Sequence, residues 1–265
     1  MKKTARIEAK KQWNAKACGE LPGFKDSVEY FDSVAKDRYN QQPWVHNYFN
    51  YNDFKDKHIL EIGIGQGTDM MQFACGGAIC HGVDITQNHL ELTSLNAKLR
   101  NLQVDLHESD ATNLPFESDS MDCVYSFGVL HHIPEIEKVI DEIYRVLKPN
   151  GIVMIALYHK WSAFHIFSKI FYSGLCKGWL FTKGYNGLLS TIEKGADGVK
   201  IKPYVRLYDK KDVTRLMDRF YEIDVSVKQL HSNHFWPQIL AKCMKPFISL
   251  LESKLGWYVA YKGRK

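Results

Sequence analysis

The sequence predicts an α/β fold, a three-layer sandwich around a seven-stranded, mostly parallel sheet. Three observations carry that prediction. From Lys55 to about Leu157, short apolar runs alternate with segments of helical period, the pattern of βαβ units. A glycine-rich turn, Gly63-Ile64-Gly65-Gln66-Gly67, follows the first run, and an acid, Asp84, closes the second. The length, 265 residues, suits one α/β domain with an added lid.

Taken in order, residues 1–54 carry Trp13, Tyr30, Phe31, Tyr39, Trp44 and Tyr48 at irregular spacing. They are too polar between the rings for a core strand and too aromatic for a free tail, so a cap of short helices is expected. Strands are expected at His58 to Ile62, Ile79 to Asp84, Gln103 to Glu108, Met121 to Phe127 and Gly151 to Leu157. Helices fall between them, around Asp69 to Ala74, Asn88 to Asn101 and Pro134 to Leu147, the last stopped by Lys148-Pro149-Asn150-Gly151. Residues 158–205 hold Trp161, Phe164, Phe167, Phe171, Tyr172, Trp179, Phe181 and Tyr185 at three and four spacing, read as a helical lid inserted after the fifth strand. A helix at Lys210 to Phe220 and strands at Ile223 to Leu230 and Trp257 to Lys262 would complete the sheet in residues 206–265. The whole of 1–265 is read as one domain, with 55–157 as its ligand-binding core.

Composition bounds the function. Hydrophobic residues make up 45% of the chain and charged residues 25%, the balance of a globular protein with a sizeable core. A formal charge of +5, from 35 basic and 30 acidic residues, falls short of a phosphate-binding stripe, so no nucleic-acid partner is expected. None of the 6 cysteines forms a C-x-x-C pair, and free thiols in a reducing cytoplasm are the expectation. The basic start precedes no apolar leader and no run is long enough to span a membrane, which points to a cytoplasmic protein.

Glycine is needed where a backbone must approach a ligand closely or adopt positive φ, and the carboxyl end of a first strand is where open α/β sheets bind ligands. The dinucleotide fingerprint G-x-G-x-x-G would place glycine where this chain has Thr68. Asp84 follows Gly63 by about 20 residues, the spacing of an acid that binds a ribose diol. A carboxylate there suits adenosine whether it belongs to NAD or to S-adenosylmethionine (SAM). The third strand runs into Glu108-Ser109-Asp110-Ala111, offering a carboxylate and a backbone N–H to an adenine ring, though Asp110 also fits a helix N-cap.

The fourth strand leads into Phe127-Gly128-Val129-Leu130-His131-His132, and with it the chain resembles class I SAM-dependent methyltransferases of the type 11 group. The signatures are Leu60-Glu61-Ile62-Gly63-x-Gly65-x-Gly67, Gly82-Val83-Asp84, Asp110-Ala111-x-x-Leu114-Pro115-Phe116, Asp122-x-Val124-x-Ser126, Leu130-His131-His132 and Arg145-Val146-Leu147-Lys148-Pro149-x-Gly151. The resemblance implies a Rossmann-like sheet with SAM as cofactor. It assigns Gly63, Gly65 and Gly67 to the methionine moiety, Asp84 with the adjoining Ile85 to the ribose, and Asp110 and Ala111 to adenine. Glu61 would organise the loop, and the Phe127 carbonyl would face the methionine ammonium. A SAM-binding protein without catalysis, or a nicotinamide-dependent oxidoreductase, would share part of this pattern.

A hydroxyl acceptor must lose a proton, and histidine suits that task near neutral pH. His131, His132, His159 and His165 follow the fourth and fifth strands; His132 and His159 are the expected substrate-side pair, with capping or bracing of the loop the alternative for His131 and His132. Tyr158 and Tyr208 are similar candidates. Phe127-Gly128-Val129-Leu130 departs from the Asn/Asp-Pro-Pro-aromatic motif of amide- and adenine-methylating enzymes, and no metal-ligand cluster is visible. A small, apolar or aromatic acceptor is therefore expected. The aromatic stretch is read as lid core, a substrate cage, or both. The tail around Trp236, Phe247 and Leu250, with Lys242, Lys245 and Lys254, fits a peripheral membrane contact, packing on the sheet, or a dimer contact.

Overall fold

The computed structural model describes residues 2–193 and 203–265, so residues 194–202 of the expected lid lie outside the described residues. Seven strands form one sheet in the order β3-β2-β1-β4-β5-β7-β6: β1 His58–Ile62, β2 Ile79–Asp84, β3 Val104–Glu108, β4 Met121–Phe127, β5 Leu147–Tyr158, β6 Tyr221–Lys228 and β7 Tyr258–Arg264. β1 to β5 are parallel, and β7 runs antiparallel between β5 and β6. The fold is the Rossmann-like three-layer sandwich the sequence predicts.

Helices α1 Lys2–Ala15, α2 Val28–Gln41 and α3 Trp44–Phe49 form the N-terminal cap. Between the strands come α4 Thr68–Cys75, α5 Gln87–Leu99 and α6 Ile136–Val146. A π-helix, Phe164–Cys176, and α7 Trp179–Leu189 follow β5. α8 Lys210–Leu216, α9 Gln238–Met244 and α10 Ile248–Leu255 flank the last strands. Among the described residues no helix is long and apolar enough to cross a membrane.

Alternation along each strand feeds two cores, because successive side chains point to opposite faces. Leu60, Ile62, Val124, Val153 and Ile155 pack under α6 and α8, whereas Ile59, Tyr125, Met154 and Ala156 pack under α3 and α4. α6 buries Ile136, Val139, Ile140, Ile143 and Val146, spacing that puts one apolar stripe on the sheet. Each such side chain contributes roughly 1.5–3 kcal/mol. Burial of both sheet faces explains why these strands read as nearly continuous apolar runs.

Several boundaries differ from expectation: β6 lies two residues earlier, at Tyr221–Lys228, and the ends of α6 and α8 differ as well. α6 ends at Val146, and β5 already pairs Leu147 with Met121 before the register shifts to Cys123 and Ile152. Lys148-Pro149-Asn150-Gly151 is thus an irregularity inside the strand, with Asn150 at φ 65, rather than the stop of the helix. α8 starts at the predicted residue, where Asp209 and Asp212 form a capping box, and ends four residues early, at Leu216, with Phe220 turned into the core.

Candidate active site

The carboxyl ends of β1, β2, β3 and β4 open into a cavity of about 360 Å³, within the range of small-molecule sites. Its floor is the turn after β1. Gly63, Gly65 and Gly67 take φ of 77, 56 and 75, the left-handed region that disfavours every residue with a Cβ. A Cβ on Gly63 would lie 2.3 Å from Val129 Cγ2, whereas one on Gly65 would meet no atom within 4 Å and would stand in open space. The carbonyls of the turn are satisfied by α5, through Thr93 Oγ1 to Gly65 (3.2 Å) and Asn96 Nδ2 to Gln66 (3.0 Å). The cap grips the same turn: Tyr30 OH donates to Gln66 Oε1 (2.9 Å), and Gln66 Nε2 donates to the Cys18 carbonyl (2.9 Å).

Of the residues expected to form the site, Glu61, Gly63, Gly65, Asp84, Ile85, Asp110, Ala111, Phe127 and His132 line this one cavity. Gly67 does not; a Cβ there would press on Thr93 at 2.8 Å, so its requirement for glycine comes from packing on α5. Asp84 accepts from Thr86 N–H (2.9 Å) and Thr86 Oγ1 (2.8 Å), and from His89 Nδ1 (2.9 Å). Burial works against its charge, but the bonds from His89 and Thr86 prevail and hold its acid below the usual range. Asp110 accepts from Thr112 N–H (2.9 Å), a turn cap with no helix behind it, and faces Arg6 Nε of α1 at 3.1 Å. Glu61 is buried with Oε2 unpartnered. Burial and the neighbouring Asp69 carboxylate push its acid well above the ordinary value.

A buried network that sequence reading missed lies beside the turn. Asp69, in the first turn of α4, accepts from Arg38 Nε (3.0 Å) and Nη2, Tyr39 OH (2.8 Å) and Tyr125 OH (2.8 Å). The Arg38 guanidinium also stands 4.4 Å over the Phe127 ring. Desolvation of Asp69 is outweighed by Arg38, which keeps its acid below the usual range. Nothing local in the sequence ties Arg38 to Asp69, 31 residues on.

The opposite wall holds His132, Tyr158, Trp13, Cys18 and Glu193. His132 Nδ1 lies 2.7 Å from the Tyr204 carbonyl, its Nε2 lies 3.6 Å from Glu193 Oε1, and the Trp13 ring is 6.0 Å away. Tyr158 OH donates to Glu193 Oε1 at 2.6 Å. His131 is fully buried against the Tyr158 ring, centroids 3.7 Å apart, with neither nitrogen partnered. Burial pushes its imidazolium form well out of reach at neutral pH.

His159 is not on this wall. Its N–H continues the sheet to the Trp257 carbonyl (2.8 Å), and its Nδ1 bonds the Gly256 carbonyl (2.9 Å). It follows Tyr158 in an extended chain, and the alternation that brings Tyr158 to the cavity sends His159 to the other face. The substrate-side role expected for it therefore has no geometric support. His165 bonds Lys160 and Tyr185, and Tyr208 is buried off the cavity. Within the aromatic stretch, Phe164 packs on Trp257 (4.9 Å), Phe167 on Phe235 (5.2 Å) and Tyr172 on Trp236 (4.2 Å). Those rings build a core with the tail, whose Leu240, Ala241, Met244, Ile248 and Leu251 join the same cluster; the roof of the cavity comes from the N-terminal cap.

Residues 60–155 match the profile of a family described as a methyltransferase domain. Among curated proteins, phosphoethanolamine N-methyltransferase 2 of Caenorhabditis elegans is 37% identical over 114 residues, 42% of this chain and 26% of that protein. A demethylmenaquinone methyltransferase of Lactobacillus johnsonii is 30% identical over 149 residues, 49% of this chain and 60% of that protein. The matches thus span less than two thirds of these relatives. A SAM-dependent methyltransferase structure from Methanosarcina mazei superposes with a TM-score of 0.59 at 21% identity, covering 84% of this chain and 97% of that one. That likeness shows the fold.

Proposed function

We propose that this chain, whose residues 60–155 match the profile of a methyltransferase domain family, moves a methyl group from SAM to a small molecule. One observation carries the reading: a single cavity joins the glycine turn, Asp84 and Asp110 to the wall of Trp13, His132 and Tyr158. The first set suits a nucleoside and an amino acid; the second suits an acceptor placed against the transferred methyl. Asp84 would take the ribose diol, Asp110 and the Ala111 N–H the adenine, and Gly63 and Gly65 the methionine. In-line transfer depends mainly on alignment, worth roughly 7–11 kcal/mol in favourable systems, and the cap that grips Gln66 supplies it. On this reading 1–265 works as one unit, with 1–54 as cap and 158–205 as lid.

The wall also speaks to the acceptor. Among the described residues, the arginines and lysines lining the cavity are Arg6 and Arg38. Arg6 faces Asp110 and Glu135, and Arg38 faces Asp69. Both are thus committed to carboxylates, and among the described residues no further arginine or lysine side chain lines the cavity, so a neutral, ring-bearing acceptor fits better than a phosphorylated amine. The relatives' names include a sterol and a quinone precursor as well as phosphoethanolamine; the cavity favours the former kind.

Calorimetric titration with SAM, S-adenosylhomocysteine and NAD, repeated on Asp84→Asn, tests the cofactor. Micromolar binding of SAM and its product, weakened about tenfold or more by the substitution, is the expected result. Binding of NAD in place of SAM would overturn it.

A further inference from the structure

We propose that His131, His132 and Glu193 hold a divalent transition-metal ion of the zinc class on the acceptor side of the cavity. One ligand atom from each of the three lies within 4.8 Å of the other two. Tetrahedral coordination with bonds of about 2.1 Å spaces ligands roughly 3.4 Å apart, and His132 Nε2 and Glu193 Oε1 already stand at 3.6 Å.

The hydrogen bonds around the cluster prepare it for a cation. The Tyr204 carbonyl, 2.7 Å from His132 Nδ1, can only accept, so Nδ1 donates to it and Nε2 is the nitrogen turned toward Glu193 Oε1. A metal ion between Nε2 and that carboxylate oxygen would bind both. A carbonyl that fixes the tautomer of a ligating histidine is the usual outer partner of such sites. Tyr158 OH plays the same part for Glu193, donating at 2.6 Å.

His131 supplies the independent observation. It is fully buried, yet both ring nitrogens lack a partner, a cost of roughly 1–3 kcal/mol for each buried polar group left unpaired. A metal bond to one nitrogen removes one of these two unpaired groups. The Tyr158 ring, stacked 3.7 Å from it, fixes the plane of the imidazole.

Two histidines and one glutamate leave a fourth position, and His132 and Glu193 turn that position toward the cavity. An oxygen of the acceptor would occupy it and become easier to deprotonate. Spacing in the chain hides the set, since Glu193 lies about sixty residues beyond His132.

The test needs no acceptor and no SAM, so it stands apart from the methyl-transfer reading. Chelator-stripped protein is titrated with Zn2+ by calorimetry and with Co2+ by absorption, as wild type, His131→Asn, Glu193→Gln and Cys18→Ser. The expected result is one equivalent bound, weakened about tenfold or more in His131→Asn and Glu193→Gln and unchanged in Cys18→Ser. The cobalt spectrum should show tetrahedral nitrogen and oxygen ligation without a thiolate charge-transfer band. Should circular dichroism show His131→Asn unfolded, Glu193→Gln, an isosteric change at a side chain 15% exposed, decides alone. No binding to wild type, binding that survives Glu193→Gln, or a thiolate band would each sink the proposal.

Discussion

On the glycine-turn wall of the cavity, Glu61, Gly63, Gly65, Asp84, Asp110 and Phe127 sit at the ends of β1 to β4, neighbours in one sheet whose register places them. On the facing wall, Trp13, Cys18, His132, Tyr158 and Glu193 come from α1, its following loop, the turn after β4, the end of β5 and the segment after α7. The first wall is set by backbone hydrogen bonds that any sequence of this fold must make. The second is assembled from excursions, each free to vary without disturbing the sheet. A fold can therefore keep one cofactor while changing acceptors, because the two tasks rest on separately built surfaces.

The comparison breaks most visibly at Arg38, the cap residue that ties α2 to Asp69 beside the glycine turn. Arg38→Ala leaves the Asp69 carboxylate, 4% exposed, buried without a charge partner. Removing one member of a buried pair costs about 3–5 kcal/mol, and urea titration should register a loss of that order. Adding Asp69→Asn should recover part of it, since the uncompensated charge disappears. A loss below about 1 kcal/mol would mean that the cap is not anchored by this pair.

The same division explains what was legible in the sequence. β1, β2 and β4 fall at the predicted residues, because strands buried on both faces are apolar throughout and glycine or an acid punctuates their ends. Gly63, Gly65, Asp84 and Asp110 could be picked out because their positions depend on local turns. Trp13 and Glu193 could not, since only tertiary packing brings them within reach of His132. His159 lies off the cavity for a reason the sequence does contain: it directly follows Tyr158 in an extended chain, and adjacent residues there face opposite ways. The aromatic stretch after β5 was legible as helical with apolar spacing, but whether its rings face the cavity or the tail depends on partners more than sixty residues on, such as Trp236 and Trp257.

Acid should loosen the second wall first. His234 supports the lid, its carbonyl accepting from Ser168 Oγ at 3.0 Å and its ring 5.8 Å from Phe164. Burial, with His231 adding to it, lowers its pKa from 6.5 to about 4. The unfolded chain thus binds a proton the folded chain refuses, so stability is present above about pH 6.5 and is lost as pH falls toward 4, by about 3 kcal/mol in all. Hydrogen exchange measured at pH 7 and pH 5 should show the π-helix and α7 losing protection before β1 and β4. His234→Phe should flatten the difference. Equal loss on both walls would show that the two halves do not open separately.

The finest distinction lies inside the turn itself. Gly63→Ala and Gly65→Ala impose the same backbone strain, about 1–2 kcal/mol for a Cβ in the left-handed region, but the added methyl meets different surroundings. At Gly63 it lies 2.3 Å from Val129 Cγ2, so that side chain must move and stability falls further. At Gly65 it meets nothing within 4 Å and projects into space the cofactor would fill. Thermal melts without ligand should therefore rank Gly63→Ala below Gly65→Ala, while SAM calorimetry shows Gly65→Ala binding weakly despite its better stability. If Gly65→Ala instead binds SAM as the native chain does, the turn does not approach the methionine moiety. The glycine there would then answer only to its φ of 56, and the cofactor would have to be held by Asp84 and Asp110 alone.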